Sequence, residues 1–172
     1  MKKIIFIAAL SIFSCTAFAQ SSDSNLQQSE TKKLSISKLL DAYYGIKDAL
    51  VSGNSLQAKT NAVAFNQTLK SFDATSLNTE GKASFVSLQS KIATDVQAIV
   101  DSKKIEDQRT VFASLSLNMW EMLKSENKLA QPAYQQYCPM KKSYWISNST
   151  SIKNPYFGNQ MLTCGKTTET IK

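Results

Sequence analysis

The chain contains no histidine, and that absence removes more chemistry than any other feature of its 172 residues. Without imidazole there are none of the usual histidine ligands for zinc or copper(II), no His-Glu metalloprotease motif, and no Ser-His or Cys-His nucleophile pair. Glycine is scarce as well, five in all, and none falls in a phosphate-binding fingerprint. Beyond the first twenty residues no stretch approaches the roughly twenty apolar residues that a membrane-spanning helix needs. Carboxylates such as Glu106, Asp107 and Glu121 fall where a helix surface is expected, and solvated charge is their ordinary role there. Glu106 with Arg109 is an i, i+3 pair of the helix-stabilising kind. No enzyme is expected from this inventory.

What is present begins with an export signal. Met1-Lys2-Lys3, the apolar run Ile4 to Ser14 and the small residues around Ala17-Phe18-Ala19 have the charge, length and cleavable end of a secretory signal peptide, residues 1–19. Cys15 loosely imitates a lipoprotein processing site, but Phe13 is a poor residue there and Ala17-Phe18-Ala19 fits signal peptidase without strain. Removal of Lys2 and Lys3 lowers the formal charge from +7 to +5 and leaves two cysteines, Cys138 and Cys164. Residues 20–31, rich in Ser, Gln and Asn, are expected to be a flexible leader. The remainder, residues 32–172, is long enough for one domain with its own core. No internal repeat is visible.

Four stretches carry apolar residues at helical spacing. The first, near Ser35 to Val51, presents Leu39, Leu40, Tyr43, Tyr44, Lys47 and Leu50 on one face, and Ser52-Gly53-Asn54 reads as a stop followed by a new N-cap. The second, from Ser55 to about Phe72, is expected to turn Leu56, Ala62, Val63, Phe65 (or Asn66) and Leu69 inward, with Ala58, Ala62 and Ala64 permitting close approach. The third starts at a cap on Asn78 or Thr79 and runs to Ser102, with Phe85, Leu88, Ile92, Val96 and Ile99 inward. The fourth, from Lys104-Ile105 to about Ser125, buries Phe112, Leu115, Met119 and Met122 or Leu123; Met119 and Met122 read as core. The expected fold is all-α, an antiparallel four-helix bundle with an irregular Cys/Met-containing C-terminal segment, residues 134–171. Short extended pieces within Ala133 to Met140 and Lys142 to Ile146 are compatible with a small hairpin.

That last segment holds the distinctive chemistry. Cys138-Pro139-Met140 and Met161-Leu162-Thr163-Cys164 place two thiols and two thioethers in nearly mirror-symmetric order, separated by turn formers including Asn154-Pro155 and Gly158. Polarisable sulfur selects Cu(I) or Ag(I) over hard ions, so Cys138, Met140, Met161 and Cys164 are candidate metal ligands. The alternative is a disulfide, natural in an exported chain; closing about 25 residues would stabilise by roughly 3.5 kcal/mol on the chain-entropy account. Both stay open at this point. From Pro132 onward five lysines face one acid. An exported chain makes nucleic acid implausible, while an acidic protein or an anionic membrane could meet that end.

Several segments carry a family resemblance: Tyr43-Tyr44-Gly45-Ile46-Lys47-Asp48-Ala49-Leu50, Ile105-Glu106-Asp107-Gln108-Arg109, Tyr137-Cys138-Pro139-Met140, Trp145-Ile146-Ser147, Ile152-Lys153-Asn154-Pro155-Tyr156-Phe157-Gly158 and Met161-Leu162-Thr163-Cys164-Gly165. The chain resembles a periplasmic domain family of unknown function (the 3347 type) that occurs alone or appended to the periplasmic adaptor subunits of copper and silver efflux pumps. Many members have Ala after the Cys-Pro-Met triplet and Gly-Ala before the Trp; this chain has Lys141 and Lys142-Ser143-Tyr144. The resemblance implies a link to heavy-metal handling, with Cys138, Met140, Met161 and Cys164 matching the family's sulfur positions. Together with the soft donors, the expectation is a periplasmic, non-enzymatic accessory protein that binds Cu(I) or Ag(I) there and buffers it or passes it to an efflux adaptor. The competing expectation is a disulfide-stapled structural or protein-interaction module with no metal.

Overall fold

The computed structural model describes residues 23–126 and 129–172. The expected signal segment with Cys15, and residues 20–22, lie outside the described residues. Four helices come first: α1 Asp23–Val51, α2 Ser55–Lys70, α3 Thr79–Asp101 and α4 Ile105–Lys124. All three prolines lie at Pro132 or beyond, so no pyrrolidine ring interrupts this half of the chain. Three of the four boundaries at helix starts match the expected signals. Asn54 accepts from the Gln57 N–H at 2.9 Å and Asn78 from the Gly81 N–H at 2.6 Å, each satisfying a donor that the first turn leaves orphaned. The Asn78 amide also donates to the Ser125 carbonyl at 3.0 Å, tying the start of α3 to the end of α4.

The start of α1 differs from expectation. The helix begins at Asp23 rather than Ser35, so residues 23–31, expected as leader, are helical. No glycine or proline lies between Asp23 and Ser35, and once a helix is nucleated downstream, each added residue costs little.

The inward faces are those that the spacing indicates on α1, α3 and α4. Leu39, Tyr43, Leu50, Ile92, Val96, Ile99, Phe112, Leu115 and Met119 are fully buried, and Met122 nearly so. Met119 and Met122 are core residues. On α2 the outcome is mixed: Ala58, Ala62, Phe65 and Leu69 are buried, whereas Leu56 and Val63 are exposed and Ala64 is too. With alanines as its main contact surface, α2 needs only a narrow stripe to pack on α1, and Leu56 and Val63 fall off its edge. Asn61 reinforces that close approach by donating to the Gly45 carbonyl at 2.7 Å. Between α1 and α4 the space is filled by rings, Tyr43 stacking on Phe112 at 5.1 Å.

The chain beyond α4 corrects the all-α expectation. Three strands, β1 Ala133–Cys138, β2 Ser143–Ser147 and β3 Lys166–Ile171, form an antiparallel sheet in the order β2-β1-β3. The C-terminal segment therefore contains a small three-stranded sheet, with irregular chain confined to its turns and the loop between β2 and β3. Period-two patterning is faint here because β3, Lys-Thr-Thr-Glu-Thr-Ile, is exposed along all but its last residue. It carries few apolar residues to set up an alternation, and its three threonines are the β-branched signal that marks it. The sheet docks on the bundle through a buried chain of hydrogen bonds. The Ile146 N–H donates to the Tyr43 hydroxyl at 3.0 Å, which lies 2.6 Å from Ser116 Oγ, and Ser116 donates to the Phe112 carbonyl at 2.7 Å. Burial away from solvent holds the Tyr43 hydroxyl protonated far above its ordinary range, so it stays a neutral link. Trp120 on α4 donates to Glu169 on β3 at 3.2 Å.

Candidate metal centre

Cys138 ends β1, and Cys164 lies just before β3, where Lys166 pairs with Tyr137. Strand pairing thus brings together two cysteines that are 26 positions apart, with Sγ to Sγ 4.0 Å. They are not bonded to each other. Cys138 is fully buried and Cys164 partly so, which gives the pair one sheltered and one accessible sulfur.

The β1–β2 turn, Pro139 to Lys142, supplies donors to this pair. The Lys141 N–H points at Cys138 Sγ at 3.4 Å, and the Met140 N–H faces the Cys164 thiol. Lys142 takes a left-handed conformation, φ 55°, which turns the chain back into β2. Hydrogen bonds from backbone N–H groups favour the charged form of a sulfur. Against that, desolvation, then the hydrogen bond that the Cys164 thiol gives to Cys138 and the repulsion of charge on Cys138, push the Cys164 thiol above its ordinary value. The Cys164 thiol therefore holds a proton at neutral pH that a metal ion would displace.

The loop from β2 to β3 is built around Asn154, fully buried. Its side-chain amide donates to the Cys164 carbonyl at 2.7 Å, and its Oδ1 accepts from the Tyr156 N–H at 2.8 Å. Its backbone N–H donates to Leu162 O at 2.8 Å and its carbonyl accepts from Gly158 at 3.0 Å. All four polar groups are used, so one residue fixes the loop that carries Met161 and Cys164. Arg109 anchors the same loop to the bundle, donating from Nε to the Pro155 carbonyl at 2.9 Å and from Nη2 to the Leu50 carbonyl at 3.0 Å. Its expected pairing with Glu106 gives way to these two carbonyls, and Glu106 acts on it only through the field of its charge. Gly158 sits where these elements meet, at φ 54°, and a Cβ there would lie 2.7 Å from the Val51 carbonyl and 2.8 Å from Arg109 Nη2. Only glycine fits.

Beneath the sulfurs lies a small aromatic core. Trp145 is fully buried and meets Tyr156 edge-on at 6.0 Å, while the Tyr156 hydroxyl donates to the Tyr144 carbonyl. Gly165, next to Cys164, lets the indole approach so closely that a Cβ would fall 2.6 Å from Trp145 Cη2.

Met140 and Met161 are 64% and 40% exposed. The Met161 carbonyl accepts from the Cys164 N–H at 3.0 Å, and the Met140 N–H faces the Cys164 thiol. The structure thus brings the two cysteines together and seats the backbones of both methionines beside them. Among the described residues no three of His, Cys, Asp and Glu converge. Sequence reasoning missed Arg109 and Asn154 as organisers of the loop. Asn154 carried a signal, being an Asn before Pro in a turn-rich stretch.

Residues 39–131 match the family model described as "Protein of unknown function (DUF3347)". The chain belongs to this family. The match spans the packed part of α1 through α4 and ends at Gln131, before β1, so in this DUF3347 protein the sulfur pair lies just beyond the matched bundle. No curated protein and no solved structure matches the chain. No helix among the described residues is long and apolar enough to cross a membrane.

Proposed function

We propose that this protein is an exported, periplasmic accessory protein that binds Cu(I) or Ag(I) between Cys138 and Cys164, with the Met140 and Met161 thioethers as further donors, and buffers the metal or passes it to an efflux adaptor. The observation that carries this reading is the 4.0 Å between the two sulfurs. Two thiolates on one ion, with metal–sulfur bonds of the length found at zinc, about 2.3 Å, stand about 3.8 Å apart in tetrahedral geometry and about 4.6 Å apart when collinear. A disulfide requires about 2.05 Å. The donor set is soft, which suits a monovalent d10 ion, and a backbone N–H group faces each sulfur. Exchange proceeds by one sulfur replacing another on the metal, so no catalytic acid or base is needed. Export by the signal at residues 1–19 and a periplasmic location belong to the same proposal.

A second reading rests on the same distance, because a modest side-chain rotation would bring two sulfurs 4.0 Å apart into bonding range. In that case the pair is a staple that pins β3 and its loop to β1, and the module serves structure or protein contact alone. Mass spectrometry of protein isolated from the periplasm under mild conditions, unfolded without reductant, separates the two. The metal reading predicts two alkylatable thiols per chain, or one metal per chain protecting them. A peptide linking Cys138 to Cys164 with no free thiol would favour the staple.

A further inference from the structure

The charge around the sulfur pair is one-sided. Between Leu129 and Thr168 there is no Asp or Glu, while Lys141, Lys142, Lys153 and Lys166 all occur there and all are exposed. Their placement tracks the site. Lys141 gives its N–H to Cys138, and Lys142 completes that turn. Lys166 pairs with Tyr137 beside Cys138, and Lys153 precedes Asn154, whose amide holds the Cys164 carbonyl. Met140 and Met161 are two of the large apolar side chains that the described surface exposes, and they lie on the same turn and loop as Lys141, Lys142 and Cys164. Exposed methionine is enriched at protein contacts, whose outer edge is polar, and the uniform sign of the neighbouring charges favours a partner of the opposite sign.

We propose that this face docks an acidic protein that exchanges Cu(I) with Cys138 and Cys164, the lysines steering the encounter and the exposed methionines making the first contact with the partner's metal. This rests on the metal reading above and adds the partner's character to it. Complementary charge raises the rate of encounter by roughly 10- to 1000-fold at low salt and loses that effect as salt rises. An anionic lipid surface would also attract lysines, but it offers no sulfur to receive or surrender the metal.

The test uses two synthetic Cu(I)-loaded peptides with the same methionine spacing, one with glutamates between the methionines and one with lysines. Metal transfer to the full mature chain is tracked by stopped-flow at salt from about 50 mM to about 500 mM. Transfer from the glutamate peptide is expected to be at least about tenfold faster at low salt, with the gap closing at high salt. In the K141E/K142E/K166E variant the preference should vanish or invert. These side chains are exposed, and an unchanged circular dichroism spectrum would show that the variant keeps its fold. Equal, salt-independent rates from both peptides overturn the docking face while leaving metal binding intact. So does co-sedimentation with phosphatidylglycerol vesicles without any peptide preference, which would assign the lysines to a membrane. A chain that takes no Cu(I) from either peptide at equilibrium overturns the metal reading and this inference with it.

Discussion

The Arg109 guanidinium donates to the Pro155 carbonyl at 2.9 Å, linking the start of α4 to the loop that carries Cys164. Its second bond, to Leu50 at the end of α1, makes one side chain the bridge between two helices and the sulfur loop. Arg109→Met should leave two carbonyls without their charged donor at a cost of about 2 kcal/mol, read as a lower urea midpoint. The loop should also loosen, so the buried Cys138 thiol should be alkylated faster in the native state. An unchanged midpoint and alkylation rate would mean that the loop is held by Asn154 and the aromatic core without this bridge.

The thioethers separate the metal site from a staple more sharply than the cysteines do. Met140→Leu and Met161→Leu are each expected to weaken Cu(I) binding by about tenfold or more, roughly 1.4 kcal/mol. The fold should lose less than about 1.5 kcal/mol, since leucine nearly conserves volume. Met119→Leu and Met122→Leu, both in the core, should leave affinity unchanged. Competition against a colorimetric Cu(I) chelator with reductant present measures all four. Equal affinity for wild type and the two loop variants would remove the methionines from the site.

Copper binding should strengthen with pH. Desolvation, followed by the Cys138 hydrogen bond and charge, raises the Cys164 thiol above its ordinary value, so near neutrality the metal must expel that proton. The apparent affinity should therefore climb by up to about tenfold per pH unit for each proton released and level off once pH passes the thiol's pKa. Chelator competition between about pH 6 and about pH 9 would show this, and Cys164→Ser should lower the slope. A flat profile from pH 6 to pH 8 would mean that the thiols are already ionised or are not ligands.

The helices were legible because each is a long amphipathic stretch, and α2 and α3 are opened by a strong local signal, Asn54 and Asn78 at their caps. The start of α1 has no such signal, and the spacing puts it near Ser35 instead of Asp23. The exposure of Leu56 and Val63 was not legible, since a helix that packs through Ala58 and Ala62 has little apolar contrast to mark its inner edge. In the sheet, β1 and β2 left traces in Tyr134 to Cys138 and Tyr144 to Ile146, whereas β3 is nearly all polar and gains its place by pairing with β1. The four sulfurs stood out by residue type alone. What brings Cys138 beside Cys164 is strand register, and what fixes the loop is Asn154 with Arg109. Register, and hydrogen bonds from Arg109 to carbonyls 46 and 59 residues away, leave no local pattern in the chain.

The central claim is that Cys138 and Cys164 together hold one soft metal ion. X-ray absorption at the copper edge, on the mature chain loaded with one equivalent of Cu(I) under reducing conditions, tests it most directly. The account predicts one copper per chain in an all-sulfur shell of two to four donors, lost in Cys138→Ser/Cys164→Ser while the bundle stays folded. A shell of nitrogen and oxygen, or equal copper loading in the double variant, would contradict it.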